Sequence, residues 1–266
     1  MYTFNGHTIM TIIYPSPIFG PIHSRRLGIS LGINLLPADG KVCTFDCIYC
    51  ECGFNKDHRP SLTLPTREEV SIALEKELQT MELENRLPDV LTFAGNGEPT
   101  IHPMFAEIID DTIALRDRYA PQAKVSVLSN ATFLHRESTF NALLKVDNNI
   151  LKLDTVDLPF ISLVDQPNCS YDIASTIELM KKFEGQLIIQ TMFLKGEYLG
   201  REVNNTGREF VDPWIAQLKQ INPRQVMIYT IDRETPAQGL EKATKEELDA
   251  IGELLIKEGF EVSISY

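Results

Sequence analysis

The stretch CTFDCIYCEC, residues 43–52, contains four of the five cysteines of the chain. Cys43, Cys47 and Cys50 have the spacing CxxxCxxC, and thiolates at such short spacings can hold an iron–sulfur cube. Three thiolates on a cube of four irons leave one iron without a protein ligand, and a reactive site requires an open position of this kind. We therefore predict an iron–sulfur centre in this loop.

A structural zinc ion is the alternative interpretation of the same loop. Zinc usually takes four protein ligands in a closed tetrahedron, and Cys52 would supply the fourth. The usual zinc arrangement pairs two knuckles a dozen or more residues apart, however, and the sequence has no second pair. A disulfide framework is disfavoured by geometry, since neighbouring cysteines in a tight loop rarely satisfy it. On the cluster interpretation Cys52 is a bystander, and Cys169 is expected to be a small buried apolar residue.

Composition places this loop in an ordinary globular chain. Of the 266 residues, 43% are apolar, and the net charge is −12. No run of 18 or more apolar residues predicts a membrane span, and the N-terminus lacks the pattern of a signal peptide. We therefore expect a cytoplasmic protein with no membrane partner, whose cysteines bind metal or do redox chemistry. The negative charge disfavours a polyanion such as RNA without excluding it.

Working outward from the loop, short apolar runs alternate with segments of helical periodicity. Capping boxes open the first and last helical segments, at Thr66 with Glu69 and at Thr244 with Glu247. The predicted strands lie at residues 26–36, 89–95, 123–130, 149–155, 186–193 and 225–231, and a terminal strand follows near the end of the chain. This alternation predicts an α/β fold with parallel strands and outer helices, either doubly wound or a full or partial (β/α) barrel. No linker divides the chain, which predicts a single domain over residues 1–266.

Polar residues follow the predicted strands where this topology places functional sites. The first strand leads to the cysteines, and the second to GNGEPT, residues 95–100. Later strand ends carry the polar or polarizable side chains Ser129, Asn130, Asp154, Gln190, Met192, Tyr229, Asp232 and Arg233. We expect these residues to surround one site.

Three stretches resemble the radical S-adenosylmethionine (SAM) superfamily. CTFDCIYC resembles its cluster loop, with Tyr49 as the aromatic residue before the last cysteine, and GNGEPT resembles its Gly-Gly-Glu region. SRRLGISLGINLLP, residues 24–37, resembles the branch of wyosine-type tRNA-modifying iron–sulfur oxidoreductases. The resemblance covers residues 20 to 235 or so and implies a partial (β/α)6 barrel, with the helix and strand at about 236–266 beyond this core.

The resemblance implies two cofactors. Cys43, Cys47 and Cys50 would hold a [4Fe-4S] cluster, and SAM would chelate its open iron. Reductive cleavage of SAM would then yield a 5′-deoxyadenosyl radical that abstracts hydrogen from a substrate, while the protein places the cofactor and excludes water. A non-catalytic zinc or iron–sulfur module is the alternative function.

The resemblance also implies roles for single residues. The backbone of Gly95, Asn96 and Gly97 would meet the methionine amino group of SAM, and Glu98 would fix the turn. Asn96 stands where the family has the first of its two glycines. The remaining predicted SAM contacts are Tyr49 and Met192 near adenine, Ser129 and Asn130 after the third strand, and Asp154 after the fourth.

Three classes of substrate are compatible with the sequence: a small molecule, a peptide and an RNA base. Arg25, Arg26, Asp232 and Arg233 are candidates to face it. The resemblance further implies a low-potential electron donor such as flavodoxin or ferredoxin.

Overall fold

A computed structural model describes the backbone of residues 2–4, 7–9, 11–24 and 28–266, and the side chains of residues 11–23 and 28–266. The strands are β1 (Tyr2–Phe4), β2 (His7–Ile9), β3 (Ile18–Ser24), β4 (Gly28–Ile33), β5 (Val90–Phe93), β6 (Lys124–Ser129), β7 (Asn148–Lys152), β8 (Ile188–Met192), β9 (Leu194–Tyr198), β10 (Arg201–Glu202), β11 (Gln225–Tyr229), β12 (Leu240–Lys242) and β13 (Val262–Ser265). The α-helices are α1 (Arg67–Leu83), α2 (Phe105–Tyr119), α3 (Glu137–Leu143), α4 (Leu158–Phe160), α5 (Ile173–Lys181), α6 (Arg208–Ile221) and α7 (Lys245–Lys257). A 3₁₀ turn spans Pro99–Ile101 and a π turn spans Ile161–Asp165.

The chain forms two compact units that are interleaved in sequence. The amino-terminal unit comprises Ile13–Cys43 and His58–Ile150. The carboxy-terminal unit comprises Met1–Ile12, Thr44–Asp57 and Leu151–Tyr266. The chain passes from one unit to the other four times: after Ile12, after Cys43, after Asp57 and within β7. The prediction of a single domain over the whole chain stays a prediction.

The sheet of the amino-terminal unit follows the order of the chain. β3 pairs antiparallel with β4, and β4, β5 and β6 are parallel neighbours. β7 comes next in the order. A doubly wound sheet would reverse its strand order at a switch point. The order here runs in one direction, as in a (β/α) barrel.

The carboxy-terminal unit continues the same pattern with strands from later in the chain. β8, β11 and β13 are parallel neighbours in that order, and β7 precedes β8. A second sheet of three antiparallel strands has the order β10-β9-β12, and β1 pairs with β2. The predicted parallel strands are therefore present in both units.

The predicted helices begin where their capping residues lie. Thr66 accepts a hydrogen bond from the backbone of Glu69, whose side chain reaches back to the cap, and α1 begins at the next residue. Thr244 and Glu247 form the same capping box before α7. Such a box satisfies two backbone donors that have no partner inside the helix. In α1, one face is buried, and it consists of Val70, Leu74, Leu78 and Met81.

The two faces of the amino-terminal sheet differ in polarity. One face is apolar and fully buried, with Leu31, Ile33, Leu91, Phe93, Val125 and Val127. The other carries Ser30, whose hydroxyl hydrogen-bonds Thr92 at 2.8 Å, and Asn148, which donates to Ser126 at 2.8 Å. Strands covered on both faces usually read as continuous apolar runs. One face of this sheet therefore carries polar side chains that hydrogen-bond one another.

The core of the carboxy-terminal unit centres on Trp214 of α6, whose indole packs edge-to-face on Phe193 at 5.5 Å. Its Nε1 donates to the carbonyl of Leu153 at 3.0 Å, so the buried indole N–H has a partner. In the part of the chain that the structure describes, no helix is both long enough and apolar enough to cross a membrane.

Candidate cofactor site

All of the cysteine loop (residues 43–52) except Cys43 belongs to the carboxy-terminal unit. The loop folds as successive turns, because Cys50 N donates to Cys47 O at 3.1 Å and Gly53 N donates to Cys50 O at 2.9 Å. The thiols of Cys47 and Cys50 are half-buried, as is that of Cys43 in the other unit. Thiols in this state are available to a ligand while their backbone is already fixed.

The π turn Ile161–Asp165 anchors the start of this loop. Asp46 N donates to Asp165 O at 3.0 Å, and Ile48 N donates to Val164 O at 2.9 Å. A π turn leaves carbonyls outside the regular helical ladder, and such turns are common at functional sites. The turn ends at Gln166, which has a left-handed φ of 47°. The backbone on both sides of Cys47 is thus held before any metal is present.

Cys52 and Cys169 lie in different surroundings. Cys52 is buried, which suits a residue that is no ligand, whereas Cys169 is exposed. The prediction that Cys169 is a buried apolar residue is therefore wrong. It lies in an irregular segment before α5, where no apolar layer covers it. No disulfide joins the cysteines, all of which lie within the described residues.

The two metal interpretations of the cysteine loop place different demands on its thiols. Among the described residues, no three side chains of His, Cys, Asp or Glu converge closely enough to bind one metal ion. A structural zinc site brings four ligands within bonding distance of one atom. A cubane instead spreads its thiolates over separate irons. The thiols of Cys43, Cys47 and Cys50 are of the donor type that iron–sulfur clusters take, and each is half-buried in its own unit.

In the amino-terminal unit, the glycine loop (residues 95–98) follows β5. Val42 N donates to Asn96 O at 2.9 Å, and Glu98 N donates to Val42 O at 3.1 Å. Gly97 has a φ of 131°, and a Cβ added there would lie 2.0 Å from the carbonyl oxygen of Val42. Only glycine allows this approach. The glycine loop therefore fixes the residue directly before Cys43.

The side chain of Asn96 is fully buried and already has its partners. Its Oδ1 accepts from Tyr14 N at 2.8 Å, and its Nδ2 donates to the carbonyls of Tyr14 and Pro37 at 2.9 and 2.8 Å. An asparagine at this position thus binds two segments that precede the cysteine loop, which a glycine could not do. The predicted contact of Gly95, Asn96 and Gly97 with SAM stays a prediction.

Glu98 is the centre of a second set of hydrogen bonds, the Glu98 network (Glu98, Thr100, Ser129 and Asn130). One oxygen accepts from Thr100 N at 3.0 Å, from the Thr100 hydroxyl, and from Ser129 Oγ at 2.9 Å. The other accepts from Asn130 N at 2.7 Å. Burial raises the pKa of Glu98 above its ordinary value, although these hydrogen bonds oppose the rise. The carboxylate joins the ends of β5 and β6, which extends its predicted role of fixing the turn.

The side chain of Asn130 lies beside the first cysteine. Its Nδ2 lies 3.7 Å from Cys43 Sγ, and its Oδ1 accepts from Thr132 N at 3.1 Å and from Thr132 Oγ1 at 2.7 Å. Between these residues, Ala131 is buried at a left-handed φ of 68°. The structure thus brings Glu98, Ser129, Asn130 and Cys43 together, as the order of strand ends predicts.

The carboxy-terminal unit contains a buried charged group, the Lys152 network (Lys152, Tyr49, Asp154 and Asp165). The Lys152 ammonium contacts the Tyr49 hydroxyl, the Asp154 carboxylate, and the Asp165 carboxylate at 2.9 Å. The Tyr49 hydroxyl also donates to Asp154. Tyr49 lies in the cysteine loop, and Lys152 is the last residue of β7. Asp154 follows β7, and Asp165 lies in the π turn. One buried cation therefore joins these segments.

Burial and charge shift the pKa values of this network strongly. Burial and the neighbouring Asp154 raise the pKa of the Tyr49 phenol well above its ordinary value. Burial acts to lower the pKa of Lys152, but Asp154 and Asp165 outweigh it and raise that pKa well above the usual range. Burial raises the pKa of Asp165 to about 6, against the opposing effect of Lys152. Lys152 therefore stays charged and Tyr49 stays neutral.

Three predicted SAM contacts lie in or next to this network: Tyr49, Asp154 and Met192. Asp154 uses its other oxygen to accept from Met192 N at 2.9 Å, so its carboxylate is committed to the protein on both sides. Met192 packs in an apolar cluster with Ile48 and Val164. The roles of Tyr49, Asp154 and Met192 toward SAM stay predictions. What the structure shows is that Asp154 ties the network to β8.

Lys152 and Asp165 were missed by sequence reasoning. The signal for Lys152 was present, since a lysine in the apolar strand NILKLD needs a buried partner, and Asp154 follows two residues later on the same face. No comparable signal marks Asp165, which the fold brings in from a different segment. Of the proposed substrate-facing residues, Arg233 pairs with Glu51 in the carboxy-terminal unit. Arg25 and Arg26 lie outside the described residues.

No family model matches the chain. Among curated proteins, the chain is 33% identical over 223 residues to a UPF0026 protein of Helicobacter pylori, and the match covers 82% of this chain and 67% of that protein. The chain belongs to the UPF0026 family. This UPF0026 chain is also 30% identical over 237 residues to a Brachyspira hyodysenteriae protein named GTPase Obg, covering 87% of the chain and 32% of that relative. The chain thus spans about a third of the length of the Brachyspira hyodysenteriae protein and about two thirds of the length of the Helicobacter pylori protein.

Several solved structures have the same fold as this UPF0026 chain. A radical SAM methyltransferase of Sphaerobacter thermophilus matches with a TM-score of 0.66 at 13% identity, over 89% of this chain and 66% of that one. Streptococcus suis SuiB bound to S-adenosylmethionine matches with a TM-score of 0.61 at 14% identity, over 88% and 50%. TYW1 with a lysine-pyruvate adduct matches with a TM-score of 0.58 at 12% identity, over 87% and 74%. The predicted radical SAM fold, a partial barrel of parallel strands with outer helices, is confirmed.

Proposed function

We propose that this UPF0026 chain is a radical SAM enzyme, in which Cys43, Cys47 and Cys50 ligate a [4Fe-4S] cluster and SAM is the second cofactor. The observation that carries the proposal is the CxxxCxxC loop at the end of the first parallel strand of a radical SAM fold, with its backbone held by neighbouring elements. When bound, such a cluster supplies the electron for reductive cleavage of SAM.

The chain's own residues prepare the cysteines from both units. In the amino-terminal unit, the glycine loop fixes Val42, and Asn130 lies against Cys43. In the carboxy-terminal unit, the π turn fixes Asp46 and Ile48, and the Lys152 network holds Tyr49. A site held on rigid elements keeps its first ligands in productive geometry. Cys43 in the amino-terminal unit and Cys47 in the carboxy-terminal unit thus have backbone neighbours that are set in advance.

The buried polar networks also determine where charge resides. Lys152 brings one positive charge into the carboxy-terminal unit beside Cys47, whose thiol hydrogen-bonds Asp165. The two carboxylates that face Lys152 offset its charge, so the network brings no net positive charge to the thiolates. We assign Lys152 the role of holding Tyr49, Asp154 and Asp165 in place beside the cysteine loop in the proposed enzyme.

Substrate and partners follow from the sequence resemblance alone. A small molecule, a peptide and an RNA base stay the predicted substrate classes, and a flavodoxin-like or ferredoxin-like donor stays the predicted source of electrons. A non-catalytic metal module is the competing function, and it needs no SAM.

Anaerobic reconstitution with iron and sulfide tests the ligand set. Wild type should bind about four irons per chain, the content of one cubane, and its spectrum should change when SAM is added. Cys47→Ala should lose the cluster. Cys169→Ala, in an exposed segment, and Cys52→Ala should retain it. Equal loss in Cys52→Ala and Cys47→Ala would instead indicate a four-thiolate site of the zinc type.

A further inference from the structure

The orientation of the Asn130 amide is determined by its neighbours. Thr132 N can only donate a hydrogen bond, and it lies 3.1 Å from Asn130 Oδ1. The Thr132 hydroxyl reaches the same oxygen at 2.7 Å. Turning the amide over would place its NH₂ group against the backbone donor. The oxygen therefore faces Thr132, and the NH₂ group faces Cys43 Sγ at 3.7 Å.

Hydrogen bonds also fix the backbone on both sides of this amide. Asn130 N donates to the buried carboxylate of Glu98 at 2.7 Å. Ala131 takes a left-handed φ of 68°, a strained conformation for a residue with a Cβ, and its N–H donates to Ser129 Oγ at 3.1 Å. Strain of this kind persists where surrounding contacts over-determine it, and it occurs often at functional sites. Here it brings Thr132 N back to the Asn130 oxygen.

The contact with sulfur is suited to a thiolate. A neutral amide donor beside a sulfur that carries negative charge makes a charge-assisted hydrogen bond. Hydrogen bonds to the sulfurs are among the factors that set the reduction potential of an iron–sulfur cluster. Reduction adds negative charge, so a donor stabilises the reduced state more than the oxidised state and raises the potential.

We propose that Asn130 is a positioning residue for the cluster, donating an N–H···S hydrogen bond to Cys43 that raises the cluster's reduction potential. This inference rests on the proposed function, because it requires Cys43 to be a cluster ligand. The contact with SAM that the resemblance implies for Asn130 stays a separate prediction. Ser129 and Glu98 act through Asn130, since both fix the backbone at or next to it.

The experiment measures the midpoint potential of the reconstituted cluster in the full chain by EPR-monitored redox titration. In Asn130→Ala the midpoint potential should fall by about 59 mV, which for one electron lowers the ratio of reduced to oxidised cluster about tenfold at the same donor potential. In Asn130→Asp it should fall further, because a carboxylate faces the thiolate. Asn148→Ala is the matched control, since Asn148 hydrogen-bonds Ser126 on the sheet, and it should keep the wild-type potential.

A second variant keeps the test decisive if Asn130→Ala does not retain its cluster. Thr132→Val removes one of the two donors that orient the amide, and it should lower the potential in the same direction by a smaller amount. A wild-type potential in Asn130→Ala would overturn the inference. If Asn130→Ala holds no cluster, a wild-type potential in Thr132→Val would overturn it. In both cases the proposed function would stand, as long as the wild-type protein carries a cluster and cleaves SAM. Wild type that binds no cluster would overturn the proposed function itself.

Discussion

The Glu98 network and the Lys152 network hold the two parts of the cysteine motif by different physical means. Around Glu98, one buried carboxylate accepts four hydrogen bonds from backbone and hydroxyl donors. Around Lys152, one buried ammonium faces two carboxylates and a phenol. Asn130 of the first network offers a donor to Cys43, whereas Asp165 of the second hydrogen-bonds the thiol of Cys47.

This contrast teaches that the cysteines of one motif need not share one electrostatic environment. Neutral donors fix direction and add no net charge, whereas a buried ion pair introduces charges that need one another. The Lys152 network should therefore be much more sensitive to loss of a single member. Substitutions in the Glu98 network should each lower the free energy of unfolding by a smaller amount, because each removes single hydrogen bonds.

The largest effect is expected for Lys152→Met, which keeps the length of the side chain and removes its charge. Asp154 and Asp165 would then be buried without a cation, so the free energy of unfolding should fall by about 3–5 kcal/mol. Urea denaturation measures this change. Lys195→Met is the matched control, because Lys195 pairs with Glu247 in a partly exposed position, and it should cost about 0–1 kcal/mol. Equal losses in the two variants would refute the contrast between the networks.

A smaller but still large effect is expected for Gly97→Ala. The new methyl group would overlap the carbonyl of Val42 at a φ that disfavours alanine, so stability should fall by roughly 2–4 kcal/mol. Gly200→Ala separates strain from overlap, because Gly200 also has a positive φ but has no atom within 4 Å of an added Cβ. It should cost about 1–2 kcal/mol. If the two alanines were equally tolerated, the close approach of the glycine loop to Val42 would be wrong.

Glu98→Gln should cost less than Lys152→Met. The amide retains one acceptor oxygen but presents an NH₂ group to a backbone donor, which predicts a loss of about 1–3 kcal/mol in urea denaturation. Glu69→Gln is the control, since Glu69 accepts from Thr66 at an exposed helix start where glutamine serves equally well. A loss as large as that of Lys152→Met would remove the distinction between a carboxylate held by uncharged donors and a buried group of opposite charges.

The smallest effect is a pH dependence of the gap between wild type and Glu98→Gln. The pKa of Glu98 is raised above its ordinary value of 4.5 in the folded protein. Its contribution to stability is therefore fully present at pH values below 4.5 and declines as the pH rises above that value. Urea denaturation at several pH values should show wild type losing ground to the variant as the pH rises. A gap that moves the other way would mean that folding lowers this pKa.

Much of the fold could be predicted from the sequence because local patterns determine it. The six predicted parallel strands appear as β4, β5, β6, β7, β8 and β11, and the predicted terminal strand appears as β13. Alternating apolar runs and capping residues act over a few positions, so they are visible in the chain itself. The short helix α3 and the hairpin β9–β10 were missed, since neither has a strong periodic signal.

The candidate site was predictable only in part. The thiol spacing and the strand ends identify Cys43, Glu98 and Asn130, because chain order places strand ends at one edge of a sheet. The partners of these residues depend on tertiary contacts. Nothing in the sequence indicates that the Asn96 side chain binds Tyr14 and Pro37, and nothing local marks Asp165 as a neighbour of Lys152.

We propose that the CxxxCxxC loop of this UPF0026 chain serves reductive cleavage of SAM. Incubation of the anaerobically reconstituted protein with SAM and a strong reductant, followed by quantification of 5′-deoxyadenosine by mass spectrometry, tests this proposal. 5′-Deoxyadenosine should accumulate with wild type and with Cys169→Ala, and none should form with Cys47→Ala. Wild-type protein that holds its cluster but forms no 5′-deoxyadenosine would contradict the proposal.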